Sequence, residues 1–173
     1  MPTKRQSDRR GSFVKIFEAN IFRSNAISFQ CNEIYFSCSN ADTLRGMHFQ
    51  SPPFDHHKLV SCISGLALDV VLDLRVGSPT FGRYESFQLS ESENKALLIP
   101  SGLAHGFLSL RNSTCLLYLV TSPHTPSHDS GIRWDSFGYS WPGKNFIMSD
   151  RDKNMQPFEG FKSPFVFKKP PNE

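Results

Sequence analysis

The sequence predicts an all-β sandwich or barrel, and three observations carry that prediction. Period-two and short apolar runs dominate the chain, and they recur at roughly 8 to 12 residue spacing. The gaps between them hold Pro, Gly, Ser and Asn, the residues of tight turns. No segment shows an apolar helical stripe longer than a turn or two, so helix is expected only as short peripheral turns.

In chain order, the first expected strand is "AISFQCNEIYFS" at 26–37, with apolar residues at alternating positions. "TLRGMHFQ" at 43–50 and "HKLVSCISG" at 57–65 follow, separated by the turn-rich "SPPFDHH". "LALDVVLDLRV" at 66–76 is a short apolar run that reads as a further strand. The turn "GSPTFG" leads to "RYESFQLS" at 83–90, and "SESEN" leads to "KALLIPSG" at 95–102. "HGFLSL" at 105–110 and "TCLLYLVTS" at 114–122 complete the set. The late segment from Ser127 to Phe158 is turn-rich and is expected to wrap the barrel, with Trp134 and Trp141 as packing residues. No internal repeat, low-complexity run or linker interrupts the chain, so residues 1–173 read as one domain.

A chain of 173 residues with 16 Phe is long and apolar enough to bury a sizeable core. The net charge of +3 is small, and the basic residues gather at the two ends without a groove-reading motif, which excludes no solute but argues against a nucleic-acid partner. No signal core or bilayer-length apolar stretch is present, so no membrane partner and a cytoplasmic location are expected. Cys31, Cys38, Cys62 and Cys115 form no CxxC pair and read as buried or half-buried free thiols of a reducing compartment.

Among chemistry-bearing residues, a metal site is the weaker reading. A catalytic metal wants three His, or two His and a carboxylate, often with an HxH pair on one strand. This chain has no HxH, and the adjacent His56 and His57 would point to opposite faces of a strand. Acid–base chemistry fits better. An imidazole can remove a proton beside a ketone if a carboxylate supports its charged form and a cation meets the enolate oxygen. His48, Lys58, His105, Tyr118 and Asp152 supply every residue type needed, although spacing alone does not make them converge.

The segments "LRGMHFQ", "KLV", "DVVLDLRVGSPTFG", "LLIPSGLAHGF", "GIRW", "WP" and "SDRD", in this order, resemble the dTDP-4-dehydrorhamnose 3,5-epimerase family over nearly the whole chain. The resemblance implies a cupin-type double-stranded β-helix, a jelly-roll barrel, that dimerises with strand exchange. It implies action on nucleotide-diphosphate 4-keto-6-deoxysugars without metal or cofactor. His48 then looks like the base beside the C4 ketone and Asp152 like the carboxylate that holds it. Lys58 looks like the cation for the enolate, and Tyr118 like the acid on the opposite face. His105 would line the sugar pocket, and Arg45 would face the diphosphate together with the partner subunit's Arg10. Gln30 and Asn32 match an element that contacts the nucleotide. Asp129 and Arg151 stand where the family usually has Glu and Lys, as binding residues.

Two departures matter. His124 replaces a second Tyr that the family commonly places near the sugar, which leaves single inversion at C3 or C5 as an alternative. Lys15 replaces a Glu. A carboxylate accepts a hydrogen bond from a thymine imide and an ammonium only donates, so a CDP-linked substrate is the alternative expectation. The competing classes are a metal-dependent cupin and a non-catalytic sugar-nucleotide binding module.

Overall fold

A computed structural model describes residues 3–93 and 95–169. Eleven strands and two short helices run in the order β1 (Lys4–Asp8), β2 (Gly11–Lys15), α1 (Ala19–Ser24), β3 (Glu33–Ser39), β4 (Leu44–Gln50), β5 (Lys58–Ser64), β6 (Leu66–Asp73), β7 (Tyr84–Ser90), β8 (Ala96–Ile99), β9 (Leu103–Ser109), β10 (Thr114–Val120), β11 (Asp129–Gly131) and α2 (Asp150–Lys153). Two antiparallel sheets make the body, one ordered β3-β10-β5-β8 and the other β11-β4-β9-β6-β7, and β1 and β2 form a separate two-stranded ribbon. This is a cupin-like jelly roll, as expected.

Alternation of side chains sorts the apolar residues into three layers. Between the sheets, Val60, Cys62 and Leu116 of one sheet pack against Ala67, Val71, Leu89 and Phe107 of the other. The outer face of the five-stranded sheet, with Leu44, Val70, Leu72 and Leu108, is covered by Ile132, Phe137 and Trp141 of the late wrapping segment and by Phe165 beyond it. The outer face of the four-stranded sheet, with Leu59, Ala96 and Leu119, is covered by Phe22 of α1 and by Ile27, Phe29 and Cys31. Both faces of β6 are therefore buried, which is why "LALDVVLDL" reads as an unbroken apolar run.

Four differences from the sequence reading have physical reasons. The alternation at 26–32 belongs to a segment that lays Ile27, Phe29 and Cys31 on a sheet and joins its ladder at the Asn32 N–H, which donates to the Val120 carbonyl, and the strand begins at Glu33. The exposed, highly charged β1 and β2 pair with each other and carry no buried face that could have revealed them. The late segment contributes β11, which pairs with β4, and α2. β4 and β5, which the sequence separates by a turn, do not pair: the Pro-rich segment between them crosses from one sheet to the other.

Candidate active site

The site grows from an irregularity in β4. Arg45 lies opposite Phe107 of β9 and His48 opposite His105, so Gly46 and Met47 together face the single residue Gly106. This extra residue is a β-bulge, and it resets the alternation so that His48, rather than Met47, points between the sheets. Glycine is required on both strands. Gly46 has φ +125°, and a Cβ there would collide with the Gly106 backbone. The "RGMH" and "AHGF" segments thus encode one close backbone approach whose result is the orientation of an imidazole.

That imidazole is held by α2. Ser149 caps the helix, its hydroxyl accepting from the Asp152 N–H, and directs the Asp152 carboxylate inward. Asp152 Oδ1 lies 2.8 Å from His48 Nε2, and Oδ2 accepts from the Gly46 N–H at 3.1 Å. Burial alone would raise the carboxyl, but the His48 contact, the Gly46 N–H and the Ser149 hydroxyl together hold it below its ordinary value. An ionised carboxylate only accepts, so His48 Nε2 carries the hydrogen and Nδ1 keeps a lone pair.

The opposite wall comes from the four-stranded sheet. Lys58, on β5, reaches across until Nζ lies 3.5 Å from the His48 carbonyl oxygen. Burial pushes its ammonium down to about 8, against the pull of Asp129 and Asp69. His48 and Lys58 share a cavity of about 280 Å³ with Tyr35, Gln50, His124 and Asp129. Tyr118 is not on its wall. The Tyr118 ring lies buried under Tyr35, stacked at 4.7 Å and 14° between planes, and meets His105 edge-on at 6.0 Å. Burial raises its phenol far above the ordinary value, and Asp69 and Tyr35 add to this, so it remains a donor. Burial likewise pushes the Tyr35 phenol up to about 12.

His105, expected on the sugar pocket, is buried beside His48 in the β4–β9 ladder, with Nε2 2.7 Å from Oδ2 of the fully buried Asp69. Strand alternation places Asp69 on the interior face with His105.

At the mouth, Arg151 pairs with Asp129 at 2.9 Å, and His124 lies 3.7 Å from the other oxygen of Asp129. Glu33 accepts from the His124 backbone N–H at 2.7 Å. Gln50 fastens the surrounding loops: its carboxamide N–H groups donate to the Phe54 and Pro123 carbonyls, and its oxygen accepts from the Thr125 N–H. His56 also lines the cavity; burial, with the nearby Lys58 charge, pushes its imidazole down to about 4, so it is neutral. Tyr35, Glu33, Gln50 and His56 were not singled out as site residues in the sequence. Only the strand parity of Glu33 and Tyr35 with an inward face carried a signal.

Other expected site residues lie outside this cavity. Arg10 forms an exposed pair with Asp8 in the β1–β2 turn. Lys15 pairs with Glu18 at 3.0 Å and lines a separate crevice beside α1. Gln30 is exposed, and Asn32 Nδ2 donates to the Thr121 carbonyl. Arg45 is exposed, donates through Nε to Ser39 Oγ at 3.1 Å, and lines a neighbouring cleft that also touches Asp152. Among the described residues, no three His, Cys, Asp or Glu side chains gather to hold a metal, and no helix is long and apolar enough to cross a membrane.

A jelly roll with an aspartate-held imidazole on one wall of its cavity and a buried ammonium on the other defines an acid–base enzyme for a small polar substrate. Comparison with known proteins narrows the class to carbohydrate epimerases. The chain belongs to the dTDP-4-dehydrorhamnose 3,5-epimerase family, whose model matches residues 1–160. A dTDP-4-dehydrorhamnose 3,5-epimerase of Sinorhizobium fredii is 39% identical over 152 residues, covering 86% of this chain and 78% of the relative. A Legionella pneumophila 3,5-epimerase, solved with dTDP-4-keto-L-rhamnose, superposes with TM-score 0.91 at 30% identity over 96% of this chain and 92% of that one. A 3'-monoepimerase of Streptomyces bikiniensis, solved with dTDP-quinovose, superposes with TM-score 0.87 at 32% identity over 92% of this chain and 82% of that one.

Proposed function

We propose that this protein inverts C3 and C5 of a dTDP-linked 4-keto-6-deoxyhexose in deoxysugar biosynthesis, acting in the cytoplasm without a cofactor. The observation that carries the reading is the His48–Asp152 pair, made through Nε2, in a cavity that it shares with the buried cation Lys58.

In the proposed reaction, His48 Nδ1 takes the proton from the carbon beside the C4 ketone. The C–H electrons pass to the carbonyl oxygen, and Asp152 supports the imidazolium that results. The Lys58 ammonium faces the enolate oxygen. Tyr35 tilts from its stack over Tyr118 when the sugar enters, so that the phenol beneath it delivers a proton to the other face of the carbon and inverts the centre, and the imidazolium proton returns through solvent to the phenolate. Tyr35 is the platform between Tyr118 and the cavity, and its aromatic face suits the apolar side of a sugar ring. Arg151, Asp129 and His124 at the mouth hold sugar hydroxyls or phosphate oxygens.

The nucleotide sites are proposed to need a second subunit. Edge strand β3 exposes Ile34 and Phe36, and the β1–β2 ribbon exposes Phe13, an apolar set suited to strand exchange in a homodimer. The same exchange would bring the partner subunit's Arg10 and Lys15 toward Gln30, Asn32 and Arg45. Glu18 offsets the Lys15 charge and returns a carboxylate to that position. This supports dTDP over the CDP alternative.

The test is to supply dTDP-4-keto-6-deoxyglucose and follow the configuration at C3 and C5 by proton NMR. Inversion at both centres is expected. Inversion at C3 alone would move the protein to the monoepimerases, with His124 in place of a second Tyr as the reason, and an unchanged sugar would end the proposal.

A further inference from the structure

Strand β3 divides its residues between two surfaces. Ile34, Phe36 and Cys38 alternate onto the outward face and are exposed, Cys38 against the sequence expectation of a buried or half-buried thiol. Glu33 and Tyr35 have the opposite parity and line the cavity with His48 and Lys58, so a partner on the outward face leaves them open to substrate. Two carboxylates line this cavity, and they differ in what they hold. Asp129 is engaged at both oxygens, by Arg151 at 2.9 Å and by His124 at 3.7 Å. Glu33 is held by one: Oε2 accepts from the His124 N–H at 2.7 Å, and Oε1 takes no hydrogen bond among the described residues. Burial raises the Tyr35 phenol, and the charges of Glu33 and Asp129 add to this, so both carboxylates act on the ring that roofs Tyr118. An ionised carboxylate only accepts, so the group that completes Oε1 is a donor.

We propose that Glu33 is a specificity-determining residue: Oε1 accepts a hydrogen bond from the C2 hydroxyl of the substrate sugar, and the enzyme thereby selects hexoses that keep this hydroxyl over their 2-deoxy counterparts. On the epimerase reading, on which this rests, the C4 ketone sits at Lys58 and His48. C1 lies across the ring from C4 and carries the diphosphate, so it points to the mouth, where His124 and Arg151 stand. A 4-keto-6-deoxyhexose has free hydroxyls at C2 and C3 alone. C3 is a carbon from which His48 takes a proton, and C2 is the neighbour of C1, so the C2 hydroxyl is the donor on the mouth side of the ring. Glu33 stands at that mouth with its carboxylate already fixed by the His124 N–H, which lowers the cost of ordering it when the sugar arrives. Its charge repels the diphosphate and so turns that group toward Arg151. A hydroxyl that donates to a carboxylate makes a charge-assisted bond, and a sugar without it leaves Oε1 unpaired in the complex.

The test compares two unreactive ligands, dTDP-6-deoxyglucose and dTDP-2,6-dideoxyglucose, by calorimetry at pH 7. Wild type is expected to bind the first about 10- to 100-fold more tightly. Glu33→Gln keeps an acceptor without the charge and is expected to show a smaller preference, and Glu33→Ala none. The ratio is taken within each protein, so a general loss of affinity in a variant cancels. Equal affinity of wild type for the two ligands, or a preference that Glu33→Ala leaves unchanged, would overturn the proposal. Proton NMR of dTDP-4-keto-6-deoxyglucose judges the reaction separately. Inversion without the preference ends the Glu33 assignment alone, and the preference without inversion ends the proposed reaction while the Glu33 contact stands.

Discussion

His48 and His105 face each other across the β4–β9 ladder, yet each binds a different aspartate: Asp152 at 2.8 Å for His48, Asp69 at 2.7 Å for His105. The His48 side chain is 29% exposed and the His105 side chain 5%, so the first is the more open to a substrate. Asp152 fixes which nitrogen of His48 carries hydrogen. Asp152→Asn presents an N–H in its place and turns the Nδ1 lone pair away from the cavity. Turnover is expected to fall about 10²- to 10⁴-fold with little change in KM, measured by steady-state kinetics.

Lys58 sets a pH limit. Its ammonium is displaced to about 8, so kcat/KM is expected to fall as pH rises through that value. Replacing Lys58 with Met removes this limb along with most of the activity.

The same displacement has a consequence for stability. The folded chain releases the Lys58 proton at about 8, whereas the unfolded chain keeps it to about 10.4, so the unfolded state binds more protons between those values. The contribution is therefore destabilising at neutral pH and fades as pH rises through that window. Lys58→Met is expected to raise stability at pH 7 by up to about 3 kcal/mol. Thermal unfolding at pH 7 and 10 measures this: the gain shrinks at the higher pH.

Tyr118 and Tyr35 separate two events. With Tyr118→Phe, His48 still removes a proton but no phenol supplies the opposite face. Solvent exchange without inversion is the expected outcome, with net epimerisation reduced about 10²- to 10⁴-fold. Tyr35→Ala uncovers the Tyr118 ring and lowers its phenol toward the ordinary value, an effect that ultraviolet titration detects.

Subunit exchange tests the dimer. His48→Ala and Arg10→Ala chains are each expected to be weak alone. If Arg10 serves the partner's cavity, an equal mixture recovers about a quarter of wild-type activity, because half of the dimers are mixed and each holds one complete site. No recovery would confine Arg10 to its own chain.

The sequence made eight of the nine body strands legible because most of them bury at least one face, and alternation or a continuous apolar run records this. It could not reveal β1 and β2, which bury nothing within one chain, or β11, three residues long within turn chemistry. The convergence of His48, Lys58 and Asp152 was legible in residue type and by family resemblance. Its physical cause was not, because a bulge and a crossing between sheets leave no periodic trace. Tyr35 escaped notice because a phenol in an apolar run reads as packing, and only the register of β3 against β10 shows it capping Tyr118.

The most direct test of the account is proton exchange in deuterated water, with dTDP-4-keto-6-deoxyglucose as substrate and wild type beside His48→Ala. The account predicts deuterium at C3 and C5 with wild type and at neither carbon with the variant. Exchange by His48→Ala at near wild-type rate would contradict it, because the base would then lie elsewhere in the cavity.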